Sequence, residues 1–462
     1  MSIQQILLGS GGATEETYWI TIVGDDSPAL DINSVDTIAV HTDGSVYSGC
    51  YCSDGSNSDW KSYLVKLDKA GAVSWQRTVD NDGRSGDASG CQVDNAGDVY
   101  QCGQKNISDG DGQWLHKFNS SGTIQWQRRL YGDKHEAARD IVVDSSDNVY
   151  TVSEQELSSE SGKQQGLIAK YNSSGTLQWQ KRMYWILSSK QFREQYKAAI
   201  DSNDDIYVVG TLYGSGHYER GCLLKMDDGG TEDWIRTQAI SGGNLRSRGC
   251  AVDSSDNVIV SSYHESGGVY TQYIIKYDSS ANLVWKRKIG HGTSDSFTRC
   301  NIIQGLAVDT DDSVYGIGAC SGTGTGDWVW VGKWNSSGTL QWQNRIRKER
   351  NDDWASVTSF GVEGTSIATL GNHSFYLVMR VGSTGSAYHE CLAVLKLPAD
   401  GTLTGSHGDF DIIATTFTEA ADTSLTTNGG ESLGITTSSI TENTPSYTVA
   451  NVSYTSLKTD VD

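Results

Sequence analysis

The stretch Lys66-Leu-Asp-Lys-Ala-Gly-Ala-Val-Ser-Trp75 decides the fold, because it returns along the chain. Its counterparts run from Lys117 to Trp126, Lys170 to Trp179, Lys225 to Trp234, Lys276 to Trp285 and Lys333 to Trp342. A degenerate copy begins at Lys396 and carries Gly405 where the tryptophan belongs. Successive lysines are separated by 51, 53, 55, 51, 57 and 63 residues. A period of this size is that of a four-stranded propeller blade.

Each unit reads as four strands. A short apolar run ending in Asp, such as Ile141 to Asp144, comes first, and an Asp-Ser-Ser-Asp-Asn turn follows; such residues favour turns. The second strand is Val149 to Val152, and a variable Gly/Ser-rich loop leads to the third, Leu167 to Tyr171. A tight Asn-Ser-Ser-Gly turn then opens the fourth, Thr176 to Arg182. Leu177 and Trp179 lie two apart there and share one face, which is expected to press against the adjacent blade. The missing seventh tryptophan is supplied by the N-terminus. Trp19 to Asp26 aligns with Trp75 to Asp82, an offset of 56 that fits the period. A strand over about 17–23 should therefore complete the last blade and remove an exposed edge. The expected fold is all-β: a seven-bladed β-propeller over 17–404, with an N-terminal arm 1–16 outside the ring and a Thr/Ser-rich C-terminal extension 405–462. That extension could add strands to the ring, pair with another copy or trail as a tether.

Composition agrees. The 462 residues include 52 Gly, 3 Pro, 14 Trp and 22 Tyr, with 36 basic and 57 acidic side chains for a net charge of −21. A length of roughly three average domains is absorbed by one repeat. The acidic balance argues against a nucleic-acid partner, which needs clustered Lys and Arg. No run approaches the ~20 apolar residues of a membrane span, and Met1 to Gly12 lacks the basic start and cleavage site of a secretory signal. Of nine cysteines, Cys91 and Cys250 fill the slot of Ile38, Ile141 and Leu306 in other units, as small buried hydrophobes do. Cys50 and Cys52 have the wrong spacing for a redox or zinc pair.

The unit resembles the SBBP-type seven-bladed propeller repeats of bacterial and phage proteins, through Val143 to Tyr150 and Lys170 to Trp179. The resemblance implies the fold and is silent on activity. Met1 to Gly12 is similar to the start of virion structural proteins of marine tailed phages, especially cyanophages, and implies a virion location.

The two short turns of each unit are nearly uniform, whereas the other two loops vary, and variable loops on a rigid scaffold carry function. Candidate ligand-binding residues on that side are Trp60, Trp114, Trp185, Tyr218, Tyr263, Trp328, Trp354, Arg193 and Arg248, with Tyr270 and Arg246 in the same loops. Aromatic planes and Arg suit sugar rings or a protein surface. The repeat-wide lysines are expected to reach a carboxylate or stack on a Trp face, since an active site needs one special copy. The acidic turns lack the full ligand set of a calcium loop. His217, His264 and His389 lack zinc-ligand spacing. No sialidase Asp-box, Gly-x-Ser-x-Gly elbow, P-loop or HExxH occurs. No catalytic residue, metal or cofactor is therefore expected. The expected role is a non-enzymatic phage virion protein, a tail-associated attachment or fibre-like component presenting its loop face to a host surface polysaccharide or a neighbouring virion protein. Contacts with other virion proteins through 1–16 or 405–462, and a homo-oligomer, are compatible with it. The alternatives are a purely architectural capsid or tail decoration or connector, and a polysaccharide-degrading propeller enzyme.

Overall fold

The computed structural model of the chain describes residues 4–11, 16–23, 31–53, 60–80, 88–105, 112–131, 135–156, 164–185, 190–214, 218–267, 269–290, 299–322, 326–348, 366–382, 390–407, 410–414, 418–421, 426–429, 433–437, 441–443 and 448–451. These residues form seven antiparallel sheets, each one blade. In blade three, for example, the strands His135–Val143, Val149–Glu156, Gln164–Tyr171 and Leu177–Trp185 follow one another outward from the axis. The innermost strands of successive blades pack together. Ser366–Leu370 of blade seven meets Asp31–Val40 of blade one and closes the ring. Middle strands such as Gly112–Phe118 are buried throughout, because both faces of a blade lie against neighbours and need apolar cover.

Closure follows the N-terminal alignment. Glu16–Val23 is the fourth strand of blade seven, with Trp19 opposite Lys396. The same cross-strand pair recurs around the ring: Lys66 with Trp75, Lys117 with Trp126, Lys170 with Trp179, Lys225 with Trp234, Lys276 with Trp285 and Lys333 with Trp342.

Each tryptophan latches its blade to the next. The indole N–H donates to a carbonyl in the third-to-fourth turn of the following blade, at 3.0–3.2 Å. The pairs are Trp75 to Ser120, Trp126 to Ser173, Trp179 to Asp228, Trp234 to Ser279, Trp285 to Ser336, Trp342 to Ala399 and, across the closure, Trp19 to Lys69. The ring lies against the turn glycine, which has positive φ and no room for a side chain. A Cβ on Gly401 (φ 68°) would sit 2.4 Å from the Trp342 ring, and one on Gly71 (φ 81°) 2.5 Å from Trp19. The residue two past the tryptophan adds a second clasp on the same turn. Arg77, Arg236 and Asn344 donate to the carbonyls of Gly122, Ala281 and Gly401, and the Thr21 hydroxyl donates to that of Gly71.

The lysines correct one expectation. Six of them lie over the second-strand tyrosine, not the tryptophan, with Lys117 4.8 Å from the Tyr100 ring centroid and Lys170 4.8 Å from Tyr150, while Lys276 of blade five faces Ile259. In blades two to six the ammonium group reaches the first-turn carboxylate, the other contact expected of it: 3.2 Å from Asp94 for Lys117, 3.1 Å from Asp201 for Lys225 and 3.2 Å from Asp309 for Lys333. The geometry repeats with the blade, so these lysines are structural.

The C-terminal extension is a belt. From blade seven the chain steps back to blade six, where Phe410–Ala414 pairs with the fourth strand and Gly405–His407 lies outside it. Phe410 and Ile412 are buried there, and Arg347 bonds Asp411 at 2.8 Å. Thr418–Ala421, Thr426–Gly429, Leu433–Thr437, Thr441–Asn443 and Thr448–Asn451 then add an outer strand to blades five, four, three, two and one in turn. The segment 1–16, expected outside the ring, contributes Gln4–Gly11, the corresponding outer strand of blade seven. Both ends therefore extend the blades.

The seven cysteines whose side chains are described are free thiols. Burial pushes the Cys91 pKa up to about 12, as suits a structural thiol. His116 is wholly buried, stacked on Trp114 at 4.6 Å, and burial holds its pKa down to about 3.

Three outcomes follow from this packing. Gly401→Ala forces both a left-handed alanine and a clash with Trp342, and should cost about 2 kcal/mol in a denaturant titration. A midpoint matching the parent would show that the turn does not latch. A chain ending at residue 415 exposes the fourth-strand edges of blades one to five. It should keep its β circular dichroism but self-associate with concentration in sedimentation runs; a stable monomer would refute the protective role of the belt. His116 gives a pH signature. The unfolded imidazole takes a proton near 6.5 and the folded one near 3, so its stability is whole above 6.5 and falls as pH drops toward 3. Between pH 7 and 5 it should contribute a loss of about 2 kcal/mol, and His116→Gln should remove that slope.

Candidate functional site

The two faces of the ring differ in chemistry. One carries the first-to-second and third-to-fourth turns, and its polar groups are spent internally. Asp94 accepts the amides of Ala96 and Asp98, and Asp144 those of Ser146 and Asn148. First turns also clasp each other across blades: Ser145 donates to Asp204, Ser202 to Asp256 and Ser254 to Asp312, each through amide and hydroxyl. Among the described residues no three His, Cys, Asp or Glu side chains form a group able to hold a metal ion. This face is the repeat itself.

The opposite face carries the longer connections, where the candidate residues lie. Trp354 is outside the described residues, as are His217 and His389. Trp60, Trp185 and Arg193 are placed by backbone only, opposite Ser53, Leu433 and Thr211. Trp114 lies in a strand, wholly buried, and donates to the Gln104 carbonyl at 3.0 Å. Trp328 is also buried, with the Arg345 and Arg347 guanidinium groups 4.7 and 4.4 Å from its centroid. Tyr218 is 57% exposed, whereas Tyr263, expected as an open ring, is 1% exposed and its hydroxyl accepts from the buried Arg248.

Their meeting place joins blades four and five. Glu219 precedes the strand Arg220–Met226 of blade four and docks on the innermost strand of blade five, Asn244–Val252. Its carbonyl accepts from Leu245 N–H at 3.0 Å, and its N–H donates to Asn244 Oδ1 at 3.1 Å. The Glu219 carboxylate accepts from Arg246 Nε. Arg246 Nη1 donates to the Tyr263 hydroxyl at 2.6 Å and to Glu265 at 3.3 Å. Arg248 Nη2 donates to the same hydroxyl at 2.9 Å. Both guanidinium groups lie over the Tyr263 ring, at 5.6 and 5.1 Å, and Tyr270 is 6.0 Å away. Behind them Ser247, Ser262 and Gln238 form a buried hydrogen-bonded set.

Electrostatics follow the contacts. Burial works against the Arg246 charge, but hydrogen bonds to Glu219 and Tyr263 outweigh it and hold its pKa above the usual arginine value. Burial, with the Lys288 charge beyond it, keeps the His264 pKa below that of a free imidazole. Arg248 owes its direction to a β-bulge. It is the extra residue between Ser247, opposite Ser262, and Gly249, opposite Ser261. A bulge bends the strand and re-aims a side chain. Sequence reasoning found Tyr218, Tyr263 and Arg248 but not Glu219 or Glu265, whose signal was only adjacency to them.

No protein-family model matches the chain, and no curated protein matches it. Solved structures do resemble it in fold. A polysaccharide lyase, an ulvan lyase of family PL25, is 8% identical over 82% of this chain and 96% of its own, with a TM-score of 0.50. A protein of unknown function from Dyadobacter fermentans is 10% identical over 86% of this chain and 99% of its own, with a TM-score of 0.45. The β-propeller domain of the trilobed protease from Pyrococcus furiosus is 10% identical over 82% of this chain and 98% of its own, with a TM-score of 0.43. At such identities the likeness is one of fold alone.

Proposed function

We propose that the protein is a non-enzymatic recognition scaffold that presents its variable-loop face to a surface polysaccharide. The observation that carries this reading is the contrast between the faces. The turn face repeats from blade to blade and satisfies itself, whereas the loop face gathers blade-specific Tyr, Arg and Glu beside an exposed ring at Tyr218. A rigid ring with one individual face is the arrangement expected of a binding module. An exposed ring beside hydrogen-bonding side chains suits a sugar.

The opening Met1 to Gly12 supplies the setting. Its similarity to virion proteins of marine tailed phages supports a tail-associated attachment component within a particle. The architectural alternative is supported by the outer belt, since Gln4–Gly11 and the six strands from 410 to 451 make a continuous rim against which a neighbour could pack. An enzymatic alternative rests on fold likeness to polysaccharide lyases and lacks a supporting residue.

Binding of the purified chain to host cells, and to polysaccharide extracted from them, tests the reading. Tyr218→Ala should weaken binding at least threefold. Val284→Ser, on the opposite face and 51% exposed, should leave it unchanged. Equal loss with both variants would remove the loop face from recognition. Sugar release during incubation would overturn the non-enzymatic assignment, and absence of the chain from purified particles by peptide mass spectrometry would overturn the virion setting.

A further inference from the structure

We infer that Arg248 is a receptor for one anionic group, a carboxylate or sulfate, carried by the polysaccharide that the loop face binds. The inference rests on the recognition reading above and names the chemical class of its ligand.

The repeat supplies the comparison. Blade three has an arginine at the same bulge: Arg139 is the extra residue between Ala138, opposite Ser153, and Asp140, opposite Val152. One pair further along, Glu154 stands opposite Ala137 and forms an ion pair with Arg139. In blade five the place of Glu154 is taken by Tyr263, which stands opposite Arg246. The symmetry therefore keeps the cation and removes its carboxylate.

Nothing described replaces that carboxylate. Glu219 and Glu265 both bond Arg246. Among the described residues Arg248 has no acidic partner. The residue is 9% exposed, and its Nε, like that of Arg139, is buried without a hydrogen-bond partner, so what separates the two blades is the carboxylate. The Tyr263 oxygen already accepts from Arg246 and Arg248, which uses both of its lone pairs. Its ring face eases the charge by cation–π attraction but does not neutralise it. A buried guanidinium lacking a counter-ion is costly. Nη2 is given to Tyr263 and Nε is shut from solvent, so Nη1 is the end of the guanidinium left to meet a planar or tetrahedral oxyanion. Tyr218 offers a ring for the sugar that carries it.

Isothermal titration calorimetry of the full chain with three oligosaccharides tests this: tetragalacturonate, its methyl ester, and a κ-carrageenan tetrasaccharide. The charged sugars should bind at least tenfold more tightly than the neutral ester. The acid and sulfated arms identify which oxyanion is preferred. Arg248→Gln should erase that preference. Tyr263→Glu should erase it too while preserving or raising the thermal midpoint, because it gives Arg248 the internal partner that Glu154 gives Arg139. A purely structural Arg248 predicts no such loss in the glutamate variant. Equal affinity of the parent chain for acid and ester would overturn the inference and leave glycan recognition standing. Failure to bind all three sugars and the host polysaccharide would overturn both. Binding of polyglutamate with the sugars inert would reassign the site to an acidic peptide and overturn the polysaccharide assignment.

Discussion

The ring depends on one contact, repeated at every junction: a tryptophan laid on the turn of the next blade, its N–H on a turn carbonyl. Each part of the repeat serves that contact. Glycine is needed because the turn residue has positive φ and an indole fills the space where a Cβ would stand, as at Gly401 and Trp342. Blade five shows the constraint is steep rather than absolute, since Ala281 holds the same conformation at φ 66°. The Asx or Asp opening the turn is fixed by its own amides, as when Asn119 accepts from Ser121 and Thr123. The lysine opposite the tryptophan ties the first turn of its own blade through Asp94, Asp201 or Asp309. Lys170 and Lys276 also donate to the carbonyls of Asp228 and Ser336, the same ones that accept the indoles of Trp179 and Trp285. Latch and strand register therefore share an atom.

The belt adds a second level of closure. The forward chain crosses each junction once, and Glu16–Val23 carries it from blade seven to blade one. The returning belt crosses from seven to six and on to one, so six junctions are bridged twice and the seven–one junction once. At that single seam the Trp19 latch and the Thr21 clasp on Gly71 work without covalent duplication.

Much of this was legible in the residues. The Lys-to-Trp period marked the blades, and the Trp19 alignment marked the closure, because a latch used seven times leaves a long, chemically specific imprint. The belt left a fainter one. Phe417, Leu425, Leu433, Ile440, Tyr447 and Tyr454 recur every seven or eight residues, each followed by Thr or Gly. The described belt strands from Thr418 onward begin at or just after these positions. Strands of three to five residues are too short to show alternation on their own, and their pairing is set by the edges they meet. Trp114 and Trp328 read as loop rings because the repeat defines only the latch end of each strand. At the other end strands run on past it, and strand extension places those rings inside. The Arg248 cluster lies beyond local reading for another reason: Arg246 and Tyr263 are cross-strand partners within blade five, whereas Glu219 comes from blade four and joins them only through inter-blade packing.

The net charge of −21 gains a partial account. Turn aspartates such as Asp94 and Asp144 are the agents that fix turns and lysines, so the repeat itself multiplies acid. That field bears on recognition. An acidic protein repels a polyanion at long range, and at physiological salt the repulsion fades over ~8 Å. A buried guanidinium in a low-dielectric setting acts more strongly on a group in contact with it. On the inference above, long-range repulsion and one charged group bound beside Arg248 are compatible, because they act over different distances. Symmetry makes that site visible: wherever the blades agree, the residue serves the ring, and where blade five trades the carboxylate of blade three for a tyrosine, the charge left over is available to a ligand.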